Sequence, residues 1–252
     1  MLNIGWFSTG RDEAARQLLR VVQDKICSGD INVKTGFVFS NREPGETKES
    51  DLFFELVRSY HIPLVYLSHK RFRIGGKEKD WRIKYDREVN NKIESFAPDL
   101  CVLAGYMLIV SGELCQKYDM INLHPAPPGG PTGSWQEVIR TLIQNKAVTA
   151  GAMIHLVTPE LDRGPVVSYC LFSLKGAPFA EHWHNDDEEK LFRLIRQHEL
   201  AREFPLIHLT LQSLGRGEVG IQDKGVIDEQ GRLISGYDLS GKVDEEVKKS
   251  LE

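Results

Sequence analysis

Short apolar runs alternate with stretches of helical periodicity along most of this chain. That alternation limits its fold more than any other feature. The segments LNIGWF (2–7), NVKTGFVFS (32–40), PLVYLS (63–68), DLCVLAG (99–105) and MINLHP (120–125) read as strands. Between them apolar residues recur at helical spacing over 12–27, 51–61 and 80–96, with a short helix around 111–118. A helix over 135–146, strands at 150–157 and 164–172, and a long helix over roughly 186–214 follow. Strands separated by helices of this length predict an α/β chain with a doubly wound, mostly parallel sheet. DLCVLAG is apolar throughout, as a strand covered on both faces would be.

Beyond Gly217 the pattern changes. Short strand-like runs over 220–240 are broken by DKG and EQG, which read as hairpin turns. The expected organisation is one large domain over 1–217, then a small β-hairpin extension and charged tail over 218–252. The tail GKVDEEVKKSLE reads as a frayed helix or loose end.

Composition narrows the function. A net charge of −4 with mixed signs carries no polyanion footprint, so nucleic acid is not an expected partner. The N-terminus lacks a basic segment followed by a long apolar one, and no apolar run approaches the roughly 20 residues that span a bilayer. The 4 cysteines are scattered and match neither a disulfide framework nor a zinc knuckle. A cytoplasmic protein with reduced thiols is expected.

In a doubly wound sheet, ligands sit outside the carboxyl ends of the strands. Asn122, His124, Gly10 and Gly105 all fall at or just after such ends. Asn122 and His124 are two residues apart and so project from one face of a strand. An amide N–H beside a protonatable ring suits an oxyanion, since both can donate to one developing charge. Pro125, Pro127 and Pro128 then end the strand and free a loop to wall a pocket. Asp162, in the Gly/Pro-bounded TPELDRGPV loop, is the candidate carboxylate for orienting the imidazole. The plainer alternatives are a structural strand histidine and an aspartate that forms a turn.

The chain resembles the folate-dependent formyltransferases, most closely the branch that formylates glycinamide ribonucleotide in purine biosynthesis. The resemblance is carried by YDREVNNKIESFAPDLCVLAGYMLIVS (85–111), INLHPAPP (121–128), GAMIHLVTPELDRGPVV (151–167) and RQHELAREFPLIHLTLQSLGRG (196–217), in consistent order over about 1–220. It implies a Rossmann-like fold and 10-formyltetrahydrofolate as co-substrate, with no metal. By the same resemblance the partners are small molecules, with a homodimer admissible. The implied catalytic trio is Asn122, His124 and Asp162, with His155 a second histidine near the acceptor. The implied folate-binding residues are Met107, Leu108, Ile109 and Val110, together with Thr158, Pro159, Glu160 and Leu161. Thr9, Gly10, Arg11 and Asp12 correspond to the loop that holds the acceptor's phosphate. In that scheme Asn122 and a cationic His124 stabilise the charge on the formyl oxygen, and Asp162 favours the imidazolium. Both groups are expected to be ionised near neutral pH, with activity falling on the acid and the alkaline side.

Three segments depart from the family pattern. STGRDEAA lacks the Gly- and Asn-rich first loop, APPGGPTGSW replaces the usual SLLP continuation, and Leu108 stands where an Arg is frequent. An amino-sugar nucleotide is therefore the alternative acceptor. A metal hydrolase using His124, His155 and Asp162 is a rival from another class. A dinucleotide-binding module is another, but STGRDE lacks its glycine fingerprint. The basic stretch 70–82 reads as a solvated loop that could attract phosphate or a polyglutamate tail. EHWHNDDEE (181–189) reads as a loop and helix start, and Phe53–Phe54 as core packing. The longer APFAEHWHNDDEE (177–189) stands where the resemblance implies a mobile loop that could act as a lid.

Overall fold

A computed structural model of the chain describes residues 1–74 and 80–250. The chain divides into two compact units, Met1–Asn122 with Leu156–Glu160 and Leu123–His155 with Leu161–Glu252. It passes between them three times, after Asn122, after His155 and after Glu160, the first two inside strands.

In the first unit β1 (Leu2–Phe7), β2 (Val33–Ser40), β3 (Leu64–Tyr66) and β4 (Leu100–Leu103) lie in the order β3-β2-β1-β4. All neighbouring pairs are parallel. The strand β5 (Met120–His124) adds to β4, also parallel, through Met120, Ile121 and Asn122. Parallel neighbours need crossovers, and here helices are built into the connections: α1 (Glu13–Cys27), α2 (Lys48–Ser59), α3 (His69–Ile74), α4 (Trp81–Ile93) and α5 (Gly112–Lys117). The apolar residues of α1 that recur at helical spacing, among them Leu18, Leu19 and Val22, are buried. Asp12 caps this helix, its side chain accepting from the Ala15 N–H. Phe7, Phe37, Phe39 and Tyr106 are buried together, the Phe7 ring 5.1 Å from Phe39 and 5.6 Å from Tyr106. Phe53 and Phe54 are fully buried, as their reading as core requires. Gly5 is forced by packing, since a Cβ there would lie 2.4 Å from the Phe37 ring.

Capping accounts for two boundary differences. The helix expected over 51–61 starts at Lys48, because the Thr47 side chain accepts from the Ser50 N–H. The one expected over 80–96 ends at Ile93 and tightens into a 3-10 turn, Glu94–Phe96, with left-handed Ala97 ahead of Pro98. The basic stretch 70–82 is not simply a loop, since α3 occupies its start and α4 begins at Trp81. Residues 75–79 of it lie outside the described residues, and with them part of the expected anion-attracting segment.

In the second unit α6 (Trp135–Gln144), β6 (Thr149–Leu156), β7 (Val166–Ser173), α7 (Ala180–His184) and α8 (Glu188–Arg216) follow the end of β5. A capping box opens α6, with Ser134 and Glu137 satisfying each other's backbone N–H. β6 and β7 are antiparallel, and the register slips between Ile154 and His155. Val138, Ile139, Leu142, Phe172, Phe179, Leu191 and Ile195 form the core. EHWHNDDEE contains the short α7 before the start of α8.

The C-terminal hairpin is present, β8 (Val219–Gln222) against β9 (Gly225–Asp228), with Asp223 and Lys224 both at positive φ as a two-residue turn demands. The tail is not loose. The two-residue strand β10 (Tyr237–Asp238) pairs parallel with β7, and α9 (Ser240–Lys249) docks through buried Val243 and an Arg202–Asp244 ion pair of 2.9 Å. Among the described residues no helix is long and apolar enough to cross a membrane.

Glu199 on α8 is fully buried, and among the described residues neither carboxylate oxygen has a hydrogen-bond partner. Burial pushes its carboxyl well above the usual range, and neighbouring Glu203 pushes the same way. Above its ordinary value the unfolded chain ionises while the folded one holds its proton, so Glu199 costs stability as pH rises. Glu199→Gln mimics the neutral acid. It should therefore melt at a higher temperature than the parent at pH 7.5, with the gain fading toward about pH 4, as calorimetry across that range would read.

Candidate active site

Each polar residue of the second unit's cluster is placed by local backbone geometry. His124 ends β5 and is 3% exposed. His155 follows the register slip in β6, an irregularity of the kind that re-aims side chains next to sites. Asp162 lies in the connection from β6 to β7 at φ 53, a left-handed conformation that Asp tolerates better than bulkier residues. His124 Nδ1 lies 3.6 Å from Asp162 Oδ2, and His155 Nε2 lies 3.6 Å from Asp162 Oδ1. The two imidazoles stand edge to face with centroids 6.2 Å apart. Asn122, half-buried and two residues before His124, faces the same way by strand alternation.

The loop after His124 folds back onto this cluster. His124 Nε2 donates to the Pro131 carbonyl at 2.9 Å, and the Gly133 N–H donates to Asp162 Oδ2 at 3.0 Å. A carbonyl only accepts, so Nε2 carries a proton and Nδ1 is the nitrogen that gains or loses one. Burial lowers the His124 value below that of an ordinary histidine, against the pull of the Pro131 carbonyl and the Asp162 charge. For Asp162, burial pushes upward, but His155, the Gly133 N–H and His124 outweigh it and hold the carboxyl below the usual range. This corrects the expectation that both groups are charged near neutral pH. Asp162 is an anion there, while resting His124 is mainly the neutral ring, because desolvating a cation outweighs one carboxylate 3.6 Å away.

The other residues singled out from the sequence lie in or border the first unit. The Thr9 N–H donates to the Gly105 carbonyl, and the Gly10 N–H to Ser8 Oγ. Asp12 Oδ1 accepts from the Ala15 N–H and Oδ2 from Arg11 Nε, while Arg11 Nη1 reaches Met107 Sδ at 3.0 Å. The Thr9 and Gly10 amides are thus satisfied internally, and the half-exposed Arg11 guanidinium is paired with Asp12 at 3.1 Å. Along 107–110 the chain alternates: Met107 and Ile109 are exposed, Leu108 packs on the core and Val110 is buried. The Ser111 N–H donates to buried Asp86 at 2.6 Å and ties down the end of that segment. Thr158 Oγ1 donates to the Glu160 carbonyl, Pro159 sits against Gly112, and Leu161 is exposed. Sequence reasoning did not single out the Pro131 carbonyl or the Gly133 N–H, because backbone groups carry no residue signature. The clue was the GG and TG turn residues, with Gly133 now seen at φ 105. Among the described residues no group of three or more His, Cys, Asp and Glu is arranged to hold a metal ion.

The family model described as Formyl transferase matches residues 13–171. The phosphoribosylglycinamide formyltransferase of Schizosaccharomyces pombe is 34% identical over 138 residues, 52% of this chain and 64% of that protein. The formyltetrahydrofolate deformylase of Haemophilus influenzae is 28% identical over 159 residues, 60% of this chain and 52% of that one. The match spans less than two thirds of the length of either relative. Among solved structures, the phosphoribosylglycinamide formyltransferase from Coxiella burnetii in complex with CHES superposes with a TM-score of 0.71 at 20% identity, covering 94% of this chain and 98% of that one. At that identity the likeness speaks for the fold, a mostly parallel α/β sheet flanked by helices.

Proposed function

Since the chain belongs to the formyl transferase family, we propose that it transfers the formyl group of 10-formyltetrahydrofolate to the primary amine of phosphoribosylglycinamide. The observation that carries this reading is the buried His124–Asp162 pair two residues beyond Asn122. The amine nitrogen attacks the formyl carbon and charge builds on the formyl oxygen. The Asn122 amide donates to that oxygen, a contribution worth roughly 3–4 kcal/mol for one such donor. The His124–Asp162 pair takes the proton lost by the amine at Nδ1, and the imidazolium so formed has Asp162 as its counter-ion. When the C–N10 bond breaks, N10 takes that proton from the His124–Asp162 pair, and tetrahydrofolate leaves with the formylated amine as second product. Met107–Val110 and Thr158–Leu161 supply backbone groups and exposed apolar side chains for the folate. Residues 1–217 form the catalytic part and 218–252 the extension.

A second reading, hydrolysis of the same co-substrate to formate, is favoured by the deformylase relative. Water then replaces the amine. The test follows tetrahydrofolate release from 10-formyltetrahydrofolate with and without phosphoribosylglycinamide. Release that depends on the amine, with no formate, supports transfer. Release without any acceptor, with stoichiometric formate, establishes hydrolysis instead. Activity only with an amino-sugar nucleotide moves the acceptor assignment there. If Arg11 holds the acceptor's phosphate, Arg11→Ala should raise the KM for phosphoribosylglycinamide about tenfold or more and leave that for the folate nearly unchanged. Removing the phosphate from the acceptor should then cost the variant little further, since both changes delete one interaction. A variant that still discriminates strongly for the phosphorylated acceptor holds the phosphate elsewhere.

A further inference from the structure

The loop between β5 and α6 contributes two opposite backbone groups to one ionisable pair. The Pro131 carbonyl accepts from His124 at 2.9 Å, and two residues later the Gly133 N–H donates to Asp162 at 3.0 Å. A tight turn holds the segment on one side, where the Gly130 N–H donates to the Pro127 carbonyl, and the Ser134–Glu137 capping box holds it on the other. Gly133 is the hinge of the arrangement. Its φ is 105, a conformation that residues with a Cβ rarely adopt, so a substitution strains the turn, while the nearest atom to an added Cβ, Glu137 Oε2 at 2.7 Å, is the tip of a side chain that can move aside.

We propose that the Pro131–Gly133 backbone is a positioning clamp for the catalytic pair, giving His124 an acceptor and Asp162 a donor in one fixed register. The clamp leaves a single nitrogen, Nδ1, facing Asp162 as the place where a proton is held. It also explains why the segment after His124-Pro125 is rich in Gly and Pro: the working groups are backbone atoms, and the side chains need only permit the turn. The charged or titratable groups acting on His124 are Asp162, His155 and, from α8, Glu203, whose carboxylate pairs with Arg196 at 2.5 Å. Those acting on Asp162 are His124 and His155. Arg163, next in sequence, turns away to the Gly130 carbonyl. In this setting the Pro131 bond raises the His124 value and the Gly133 bond lowers that of Asp162, both opposing burial.

The role in turnover rests on the transfer reading, but the clamp is testable without substrate. In wild-type protein, nitrogen NMR of the imidazole above its titration range should show His124 protonated at Nε2 and bare at Nδ1. The Nδ1–H tautomer, or an even mixture, would overturn the proposal with no variant needed. Gly133→Ala displaces the turn, so the His124 titration should move down by roughly one pH unit. Gly129→Ala strains the same loop at φ 72 with open space around it and touches neither partner, so it should titrate as wild type. A folded Gly133→Ala protein with an unmoved His124 titration also sinks the clamp. If turnover needs neutral His124 at rest, the acid limb of kcat in Gly133→Ala should move down with the NMR value. A merely structural defect would lower the plateau and leave the limb in place, against the proposal. Should wild type transfer no formyl group while the NMR results hold, the transfer reading fails and the clamp stands.

Discussion

Asp162→Asn should lower formyl-transfer turnover by about 10²–10⁴-fold while leaving folate affinity within tenfold, about 1.4 kcal/mol. The substitution keeps the size of the side chain, and Asn tolerates the left-handed backbone at φ 53. What it removes is the negative charge 3.6 Å from both His124 and His155. With that charge gone, burial acts on His124 less opposed, and the imidazolium formed as the amine loses its proton has no counter-ion. The chemical step therefore suffers and ground-state binding does not. Single-turnover rates measured beside calorimetric titration with a non-reactive folate analogue separate the two. A loss confined to folate binding would make Asp162 a ligand contact and remove it from the proton path. The pH dependence carries a sign as well. The Asp162 carboxyl lies below its ordinary value, so its charge stabilises the fold above that value and is lost as pH falls through the folded value. The gap in melting temperature between parent and Asp162→Asn should close under acid conditions.

For Asn122→Ala, turnover should fall by about 10²–10³-fold, the loss of one oxyanion donor. The backbone of Asn122 remains in β5, with Leu103 of β4 as its register partner, so truncating the half-buried side chain leaves the strand in place. Unchanged circular dichroism with wild-type KM values and a reduced kcat is the expected pattern. Wild-type turnover would take Asn122 out of the mechanism.

Much of the fold was legible because burial imposes a period on the chain. The strands β1 to β5 and helix α1 appear in the sequence as apolar runs and helical spacing, and the structure moves most of their ends by a residue or two. Short elements were not legible. His69–Ile74 and Ala180–His184 are too brief to show a period, and β10 has two residues whose partner is distant in sequence. The tail read as loose because its charges dominate its composition. Buried Leu239 and Val243, the pairing of β10 with β7, the Leu171 N–H bond to Ser240 Oγ and the ion pair from Asp244 to Arg202 dock it.

At the site the division follows the range of the forces involved. Spacing along the chain already tells which side chains share a strand face, since Asn122 and His124 are separated by the strand period. The sequence also marks where the strand must end, because Pro125 follows at once. Long-range pairing alone brings His155 beside His124 and Asp162, through a register slip in β6, and returns the turn around Gly133 to meet Asp162. The charge of His124 was likewise out of reach of the sequence. Identity supplies an ordinary imidazole, whereas its protonation is set by how much water burial removes and which carbonyl and carboxylate remain. Strand alternation is local and survives in the sequence as spacing. Desolvation and hydrogen-bond partners arise only when segments far apart in the chain are brought together.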